Sequence, residues 1–173
     1  MEMLANLGVL LRSSLEAPEI HTLALSDELV IVEEYLAIER ARFGSRLTVL
    51  FDIDPQVDAA RVPRFLLQPL IENAVRHGIA ACSSGGEIAV RAGLSGEALR
   101  IEIENELPDC DSQNTGGSGL GLRNSRERLE QLYGRQSSLT TAVIQNNRFL
   151  TVVTLPFASA YLGLGGGQGG VSL

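Results

Sequence analysis

Hydrophobic residues recur at helical spacing in four segments of the chain, which are residues 3–15, 26–44, 66–78 and 119–134. In the second segment, an apolar stripe near the 3.6-residue period is formed by Leu29, Val32, Tyr35, Leu36 and Ile38. Ser26 stands where a side chain caps a helix start, and Gly44 stands where a helix ends. A loop over residues 16–25 is predicted between the first two helices.

Apolar and polar residues alternate every second position in the remaining ordered segments, which predicts strands at 46–54, 86–94, 97–107 and two within 138–157. Short turns join the strands in pairs, so we expect hairpins. Helices interleaved with hairpins indicate an α+β fold, a two-layer α/β sandwich with a mixed or antiparallel sheet covered on one face by helices. Residues 1–44 fall outside this pattern and predict a separate helical hairpin before a domain at 45–157.

The third helical segment combines one apolar and one polar face, and Pro63 precedes it where a first helical turn tolerates proline. Its apolar half holds Leu67, Leu70, Ile71, Ala74 and Val75, and its polar half holds Gln68, Glu72, Asn73, Arg76 and His77. An amide oxygen such as that of Asn73 completes a Mg²⁺ shell made otherwise of phosphates and water. Arg76 and His77 are placed to meet phosphate oxygens, and Glu72 to take a proton or orient a water. The alternative is a solvated face with internal ion pairs.

The glycine-rich segment 116–122 runs directly into the fourth helix. Glycines let backbone N–H groups approach an anion, and a helix start adds unsatisfied donors and partial positive charge. The segment lacks the Gly-Lys-Ser/Thr of a Walker loop and the preceding strand of a dinucleotide fingerprint. It predicts either a phosphate cradle or a flexible connector.

Composition narrows the class of protein. The chain has 173 residues, a net charge of -7 and a pI of about 4.8, without an Arg-rich run, so nucleic acid is not expected as a partner. Cys82 and Cys110 lack zinc or redox spacing. No apolar run reaches the roughly 20 residues that span a bilayer. The glycine-rich tail, 158–173, predicts disorder.

The motifs in series resemble the ATP-binding domain of sensor histidine kinases, whose Bergerat-type fold is shared with gyrase, Hsp90 and MutL. PRFLLQPLIENAVRHGI is similar to the N box of that family, and GGSGLGLRNSRERLEQLYG to its second glycine box. YLAIERARFGSRL before the N box narrows the resemblance to the LytS/AlgZ-type subfamily. The resemblance covers roughly residues 1–157 and implies ATP and Mg²⁺ as cofactors.

The resemblance also implies roles for individual residues. Asn73 would bind Mg²⁺, with Arg76 and His77 near the phosphates, and Glu72 would polarise the accepting imidazole or orient a metal-bound water. Gly117, Gly119 and Gly121 would shape the lid and the phosphate cradle, while Leu120 and Leu122 would pack at the edge of the pocket.

The first glycine box departs from the Asp-x-Gly-x-Gly of the family. The aligned stretch is Glu104-Asn105-Glu106-Leu107-Pro108, so both glycines are replaced. We expect Glu104 to accept the hydrogen bond from the adenine amino group in place of the Asp, and Asn105 to add an amide contact. The AlgZ-like branch shows such altered boxes.

A second departure concerns the phosphoacceptor, which in the subfamily lies in a motif resembling Asn-Pro-His-Phe-Leu-Phe-Asn. That motif is absent, and neither His21 nor His77 resembles it. The resemblance therefore implies a catalytic domain that transfers phosphoryl to a histidine elsewhere and thence to a LytTR-type response regulator, and that does not autophosphorylate alone. It implies a homodimeric parent and a cytoplasmic position, with membrane attachment only through an upstream part.

Three alternatives stay open from the sequence. An anti-sigma-type serine kinase shares the nucleotide fold, and a gyrase- or MutL-type ATPase would activate water with Glu72. The missing glycines at 106 and 108 favour a degenerate, nucleotide-free interaction module.

Overall fold

The computed structural model describes residues 22–108 and 120–158, which form three helices and seven strands. The helices are α1 Leu25–Phe43, α2 Leu67–Ala74 and α3 Leu120–Tyr133. The strands are β1 Thr22–Ala24, β2 Leu47–Ile53, β3 Arg61–Pro63, β4 Gly86–Ser95, β5 Ala98–Glu106, β6 Ser138–Ile144 and β7 Arg148–Pro156. The predicted helix at 3–15, most of the glycine-rich loop and almost all of the tail lie outside the described residues.

Five strands form one sheet in the order β2-β4-β5-β7-β6, in which β2 runs parallel to β4 and every other pair is antiparallel. In β4, β5 and β7, alternate residues face the helices and are buried, as Val90, Ile103 and Val153 show. These side chains form a single core with Ile71 of α2 and Leu129 of α3. The predicted α+β two-layer sandwich is confirmed.

The opposite face of the sheet carries a network of ion pairs. The Glu104 carboxylate lies 2.8 Å from the Arg91 guanidinium and 2.6 Å from that of Arg148. Arg148 also reaches Glu87, at 3.2 Å, so it bridges β7 to β4 across β5. Each exposed pair contributes little singly, but a network with Glu104 between two arginines holds three strands in register.

Helix α1 begins at Leu25, with Ala24 as its N-cap and no capping bond from a side chain. The predicted cap by Ser26 is therefore wrong. The reason is tertiary: the N–H groups of Leu25 and Ser26 donate to the carbonyl oxygens of Ala60 (2.8 Å) and Asp58 (3.0 Å), which satisfy the helix start.

The predicted loop at 16–25 contains a strand at its end. β1 pairs antiparallel with β3, and the Arg61 side chain fastens the pair by donating to the Thr22 carbonyl and hydroxyl. Pro63 ends β3 rather than opening α2, so its predicted place in a helical turn is also wrong. Three-residue strands are too short to produce a readable alternation.

Leu25, Val32 and Leu36 of α1 belong to the same hydrophobic core as α2 and the sheet. The structure therefore packs one face of α1 against the core of the sandwich, while the predicted hairpin over residues 1–44 stays a prediction. An apolar stripe predicts burial, but it does not say which partner buries it. Among the described residues, no helix is both long and apolar enough to cross a membrane.

Candidate functional site

Helix α2 separates its two faces as its sequence predicts. Leu67, Leu70, Ile71, Ala74 and Val75 are all buried in the core. On the polar arc, Asn73 and His77 are half-buried and Arg76 is exposed, so all three border solvent beside the helix. Within the described residues, no three His, Cys, Asp or Glu side chains cluster in a way that would hold a metal ion by themselves.

Glu72 occupies the side of the arc that faces α1. Its carboxylate accepts a hydrogen bond of 2.8 Å from the Gln68 amide. Burial raises the pKa of Tyr35 on α1, and the charges of Glu39 and Glu72 raise it further, so Glu72 lies near that phenol. The Glu72 carboxylate therefore already interacts with Gln68 and lies near Tyr35, and its catalytic role stays a prediction.

The imidazole of His77 is held in its neutral form. Burial lowers the pKa of His77, and the adjacent Arg76 charge lowers it further. At neutral pH the side chain therefore offers one N–H donor and one acceptor, without a positive charge. Arg76 supplies the positive charge at this end of α2.

The end of α2 widens into a π-helical turn, Val75–Ile79, and lies directly on β5. A Cβ atom added to Gly78 would stand 2.8 Å from the Asn105 Nδ2 atom and 2.9 Å from the Glu106 carbonyl oxygen. Only glycine permits this approach, because any side chain would collide with β5. The contact brings Asn105 beneath the polar arc.

Asn105 is 2% exposed and lies on the face of the sheet that carries the helices. Its Nδ2 atom donates to the Glu106 carbonyl oxygen over 2.8 Å. That bond uses one of the two N–H donors of the amide, so Asn105 keeps its Oδ1 acceptor and one N–H group for a ligand.

The structure corrects the prediction for Glu104. Successive residues of a strand point to opposite faces, so Glu104 and Asn105 diverge. Glu104 lies on the outer face between Arg91 and Arg148, away from α2. Asn105, one position later, lies on the inner face beside Gly78 at the end of α2, and a role of either residue in adenine binding stays a prediction.

The glycine-rich start of α3 lies beside α2. A Cβ atom added to Gly121 would stand 3.9 Å from the Cβ atom of Pro69, which is one helical turn before Asn73. Leu122 is half-buried against the core. Leu120 begins α3, and Gly117 and Gly119 lie outside the described residues, so their roles stay predictions.

Sequence reasoning missed Thr151, which is 3% exposed on the inner face, directly opposite Ile103. A signal existed, because the alternation of β7 turns Thr151 inward together with Val153 and Leu155. A buried hydroxyl needs a hydrogen-bond partner, and that of Thr151 is not among the unpaired buried polar atoms of the described residues.

Comparisons with known proteins bear on this arrangement. The histidine kinase family model matches residues 1–47. The chain is 33% identical over 141 residues to the sensor histidine kinase YpdA of Escherichia coli K12, covering 77% of this chain and 25% of YpdA. It is 34% identical over 149 residues to the sensor protein LytS of Staphylococcus saprophyticus, covering 80% of this chain and 25% of LytS.

The chain belongs to the sensor histidine kinase family. It spans about a quarter of the length of these curated relatives. Its resemblance to the LytS-type subfamily, predicted from the N box and the segment before it, is confirmed.

Solved structures share the fold of this histidine kinase domain. The nucleotide-free catalytic domain of the histidine kinase ThkA has a TM-score of 0.61 at 20% identity, covering 80% of this chain and 96% of that one. ThkA in complex with the response regulator TrrA gives 0.60 at 19%, covering 91% and 49%. Full-length ShkA in complex with AMPPNP gives 0.60 at 17%, covering 84% and 33%.

Proposed function

We propose that this histidine kinase domain binds Mg·ATP between α2 and the start of α3 and presents the γ-phosphoryl group to a histidine on another segment. The observation that carries the proposal is the approach of Gly121 to Pro69, close enough that an added Cβ atom would lie 3.9 Å from the Pro69 Cβ atom, one helical turn before Asn73. A helix start rich in glycine attracts phosphate, and it lies beside the one arc that combines an amide, an arginine and an imidazole.

The residues of the arc suit a metal–triphosphate. The half-buried Asn73 amide oxygen is a hard ligand for Mg²⁺, whose remaining sites phosphate and water would fill. Arg76 would pair with phosphate oxygens through its planar fork, and the chain contains no lysine to share that task. The neutral His77 would donate one hydrogen bond without adding charge.

Bound ATP supplies a phosphoryl group whose transfer depends chiefly on alignment and charge neutralisation. The chain's own residues would contribute that positioning: Asn73 through the metal, Arg76 and the α3 start through the phosphates. Glu72 would orient a water or the accepting imidazole through its Oε2 atom, while its Oε1 atom accepts from Gln68.

Asn105 is the residue we propose for recognition of the base. Its Oδ1 atom would accept from the exocyclic amino group of adenine, while the bond from its Nδ2 atom to the Glu106 carbonyl oxygen fixes the orientation of the amide. A purine with an oxo group at the same position would place that oxygen, an acceptor, against the Oδ1 acceptor of Asn105, which disfavours its binding.

The parent protein adds further proposals. ThkA in complex with TrrA supports a response regulator as the downstream partner, and the resemblance to LytS supports one of the LytTR type. We propose a homodimeric parent with this domain in the cytoplasm and any membrane attachment in another part of the chain.

Asn105 and its neighbour Glu104 form a matched pair of variants. We expect Asn105→Ala to weaken Mg·ATP binding about tenfold, since a buried acceptor for the base is lost. Glu104→Ala is expected to leave the Kd within about twofold and to reduce stability by about 1 kcal/mol, because Glu104 serves only the outer ion pairs. Calorimetry with ATP and GTP, alongside urea unfolding, measures both. A larger loss of ATP affinity in Glu104→Ala would contradict this assignment.

The function is tested by phosphoryl transfer between separate polypeptides. Mg·[γ-³²P]ATP is incubated with this chain alone, with a helical hairpin carrying a LytS-type acceptor histidine alone, and with both. Acid-labile label on the hairpin is expected only in the mixture. Steady phosphate release without label would indicate a gyrase-like ATPase. Label that is stable to acid would indicate a serine kinase. Absence of nucleotide binding would indicate an interaction module.

A further inference from the structure

Glu28 of α1 is a fully buried carboxylate that the proposed chemistry does not use. Its Oε1 atom accepts a hydrogen bond of 2.6 Å from the Phe65 N–H group, and its Oε2 atom one of 3.0 Å from the Leu67 N–H group. Leu67 is the first residue of α2, which has no cap from a side chain of its own N-cap residue. A residue 39 positions away in the chain therefore supplies the cap of the N-box helix.

The charge of Glu28 suits this place. The start of α2 carries unpaired N–H groups and partial positive charge, both of which favour a carboxylate. Burial raises the pKa of Glu28 above its usual value, and the backbone N–H groups of Leu67, Phe65 and Leu66 and the charge of Arg128 offset only part of that rise. Phe65 adopts a φ of 59°, which a side chain rarely tolerates and which points its N–H group at the carboxylate.

The same junction reaches α3. The Arg128 guanidinium donates 2.7 Å to the carbonyl oxygen of Arg64, in the turn that leads into α2. Glu28 and Arg128 thus hold that turn from two sides, one from α1 and one from α3. The turn sets the start of α2, and Asn73 follows six residues after Leu67, about 9 Å along a rigid helix.

We infer that Glu28 is a positioning residue for nucleotide binding, which fixes the axial and rotational setting of α2 and so the place of the Asn73 amide relative to the start of α3. The inference rests on the proposed function. It also makes α1 and α2 one rigid unit, so a displacement of β1 and α1 is carried to Asn73. Small shifts of a metal ligand or binding group are costly in ligand affinity.

The test compares Glu28→Ala and Glu28→Gln with Val32→Ala in the same helix. Val32 is a buried core residue one turn after Glu28, and its apolar side chain donates and accepts no hydrogen bond, so its truncation reports loss of packing without loss of the cap. Mg·ATP affinity is measured by calorimetry at a temperature where circular dichroism shows every variant folded. Hydrogen exchange at the Phe65 and Leu67 amides reports the cap itself.

We expect Glu28→Ala to raise the Kd on the order of tenfold and Glu28→Gln by a smaller factor, with faster exchange at Leu67 in both. Val32→Ala is expected to bind within about twofold of the wild type. Equal affinities in Glu28→Gln and wild type, with exchange at Leu67 accelerated, would overturn the inference even if Glu28→Ala does not fold. Absence of binding by the wild type would instead refute the proposed function.

Discussion

Replacing Asn73 by Ala is expected to abolish Mg²⁺-dependent binding of ATP. The half-buried amide is the side chain of the α2 arc suited to coordinate the metal, and its loss leaves Mg·ATP with one ligand fewer. We expect the Kd to rise at least ~30-fold, or about 2 kcal/mol. Calorimetric titration of Mg·ATP into both proteins, repeated with EDTA, measures the change.

The fold of Asn73→Ala is expected to be intact, because alanine favours a helix and Asn73 lies on the half-buried polar arc, outside the cluster of core residues. Its free energy of unfolding should therefore change by no more than about 0.5 kcal/mol. Gln56→Ala, which removes an exposed amide from the turn after β2, serves as the control. Equal heats from wild type and Asn73→Ala would remove Asn73 from the metal site, and no heat from either would support a nucleotide-free module.

Replacing Gly85 by Ala is expected to produce the largest loss of stability. Gly85 has a φ of 80°, and an added Cβ atom would stand 2.2 Å from the carbonyl oxygen of Arg46 and 2.6 Å from its Cα atom. Arg46 immediately precedes Leu47, whose pairing with Gly86 begins the parallel β2–β4 ladder. Because backbone cannot move aside without opening that ladder, we expect a cost of about 3 kcal/mol or more.

Gly96→Ala separates the clash from the backbone conformation. Gly96 has a φ of 63°, and no atom of the described residues lies within 4 Å of its added Cβ position. It should therefore cost only the 1–2 kcal/mol or so of a left-handed alanine. Urea unfolding followed by circular dichroism compares the two variants. Similar costs at both positions would show that the approach of Arg46 to Gly85 is not as tight as described.

The helical and strand patterns predicted most of the described elements. Period 3.6 located α1, α2 and α3, and period 2 located β2, β4, β5, β6 and β7, because each element buries one face against the other layer. The five apolar positions of α2 are all buried as predicted. Elements without such a pattern were missed, as the three-residue strand β1 shows.

The error at Glu104 has a different origin. The altered glycine box was aligned by residue type, so Glu104 was placed at the position of the family's Asp. Because side chains alternate along a strand, only one of Glu104 and Asn105 can face α2. The apolar residues Ile101 and Ile103 already indicate which alternate positions of β5 face the helices, and Asn105 is the next of these positions. A motif that has lost its glycines is read more safely by the faces of its strand.

The sequence by itself determined the fold class, the family, and the polar arc of α2 with its candidate magnesium ligand, since periodicity and short motifs are local properties. Only the tertiary structure decided that α1 belongs to this core, that Asn105 rather than Glu104 lies under the end of α2, and that Glu28 caps that helix. Each depends on contacts between residues far apart in the chain, such as the 39 positions between Glu28 and Leu67. Such contacts produce no periodic pattern in the sequence of either partner, because the backbone N–H group is the same whichever residue carries it.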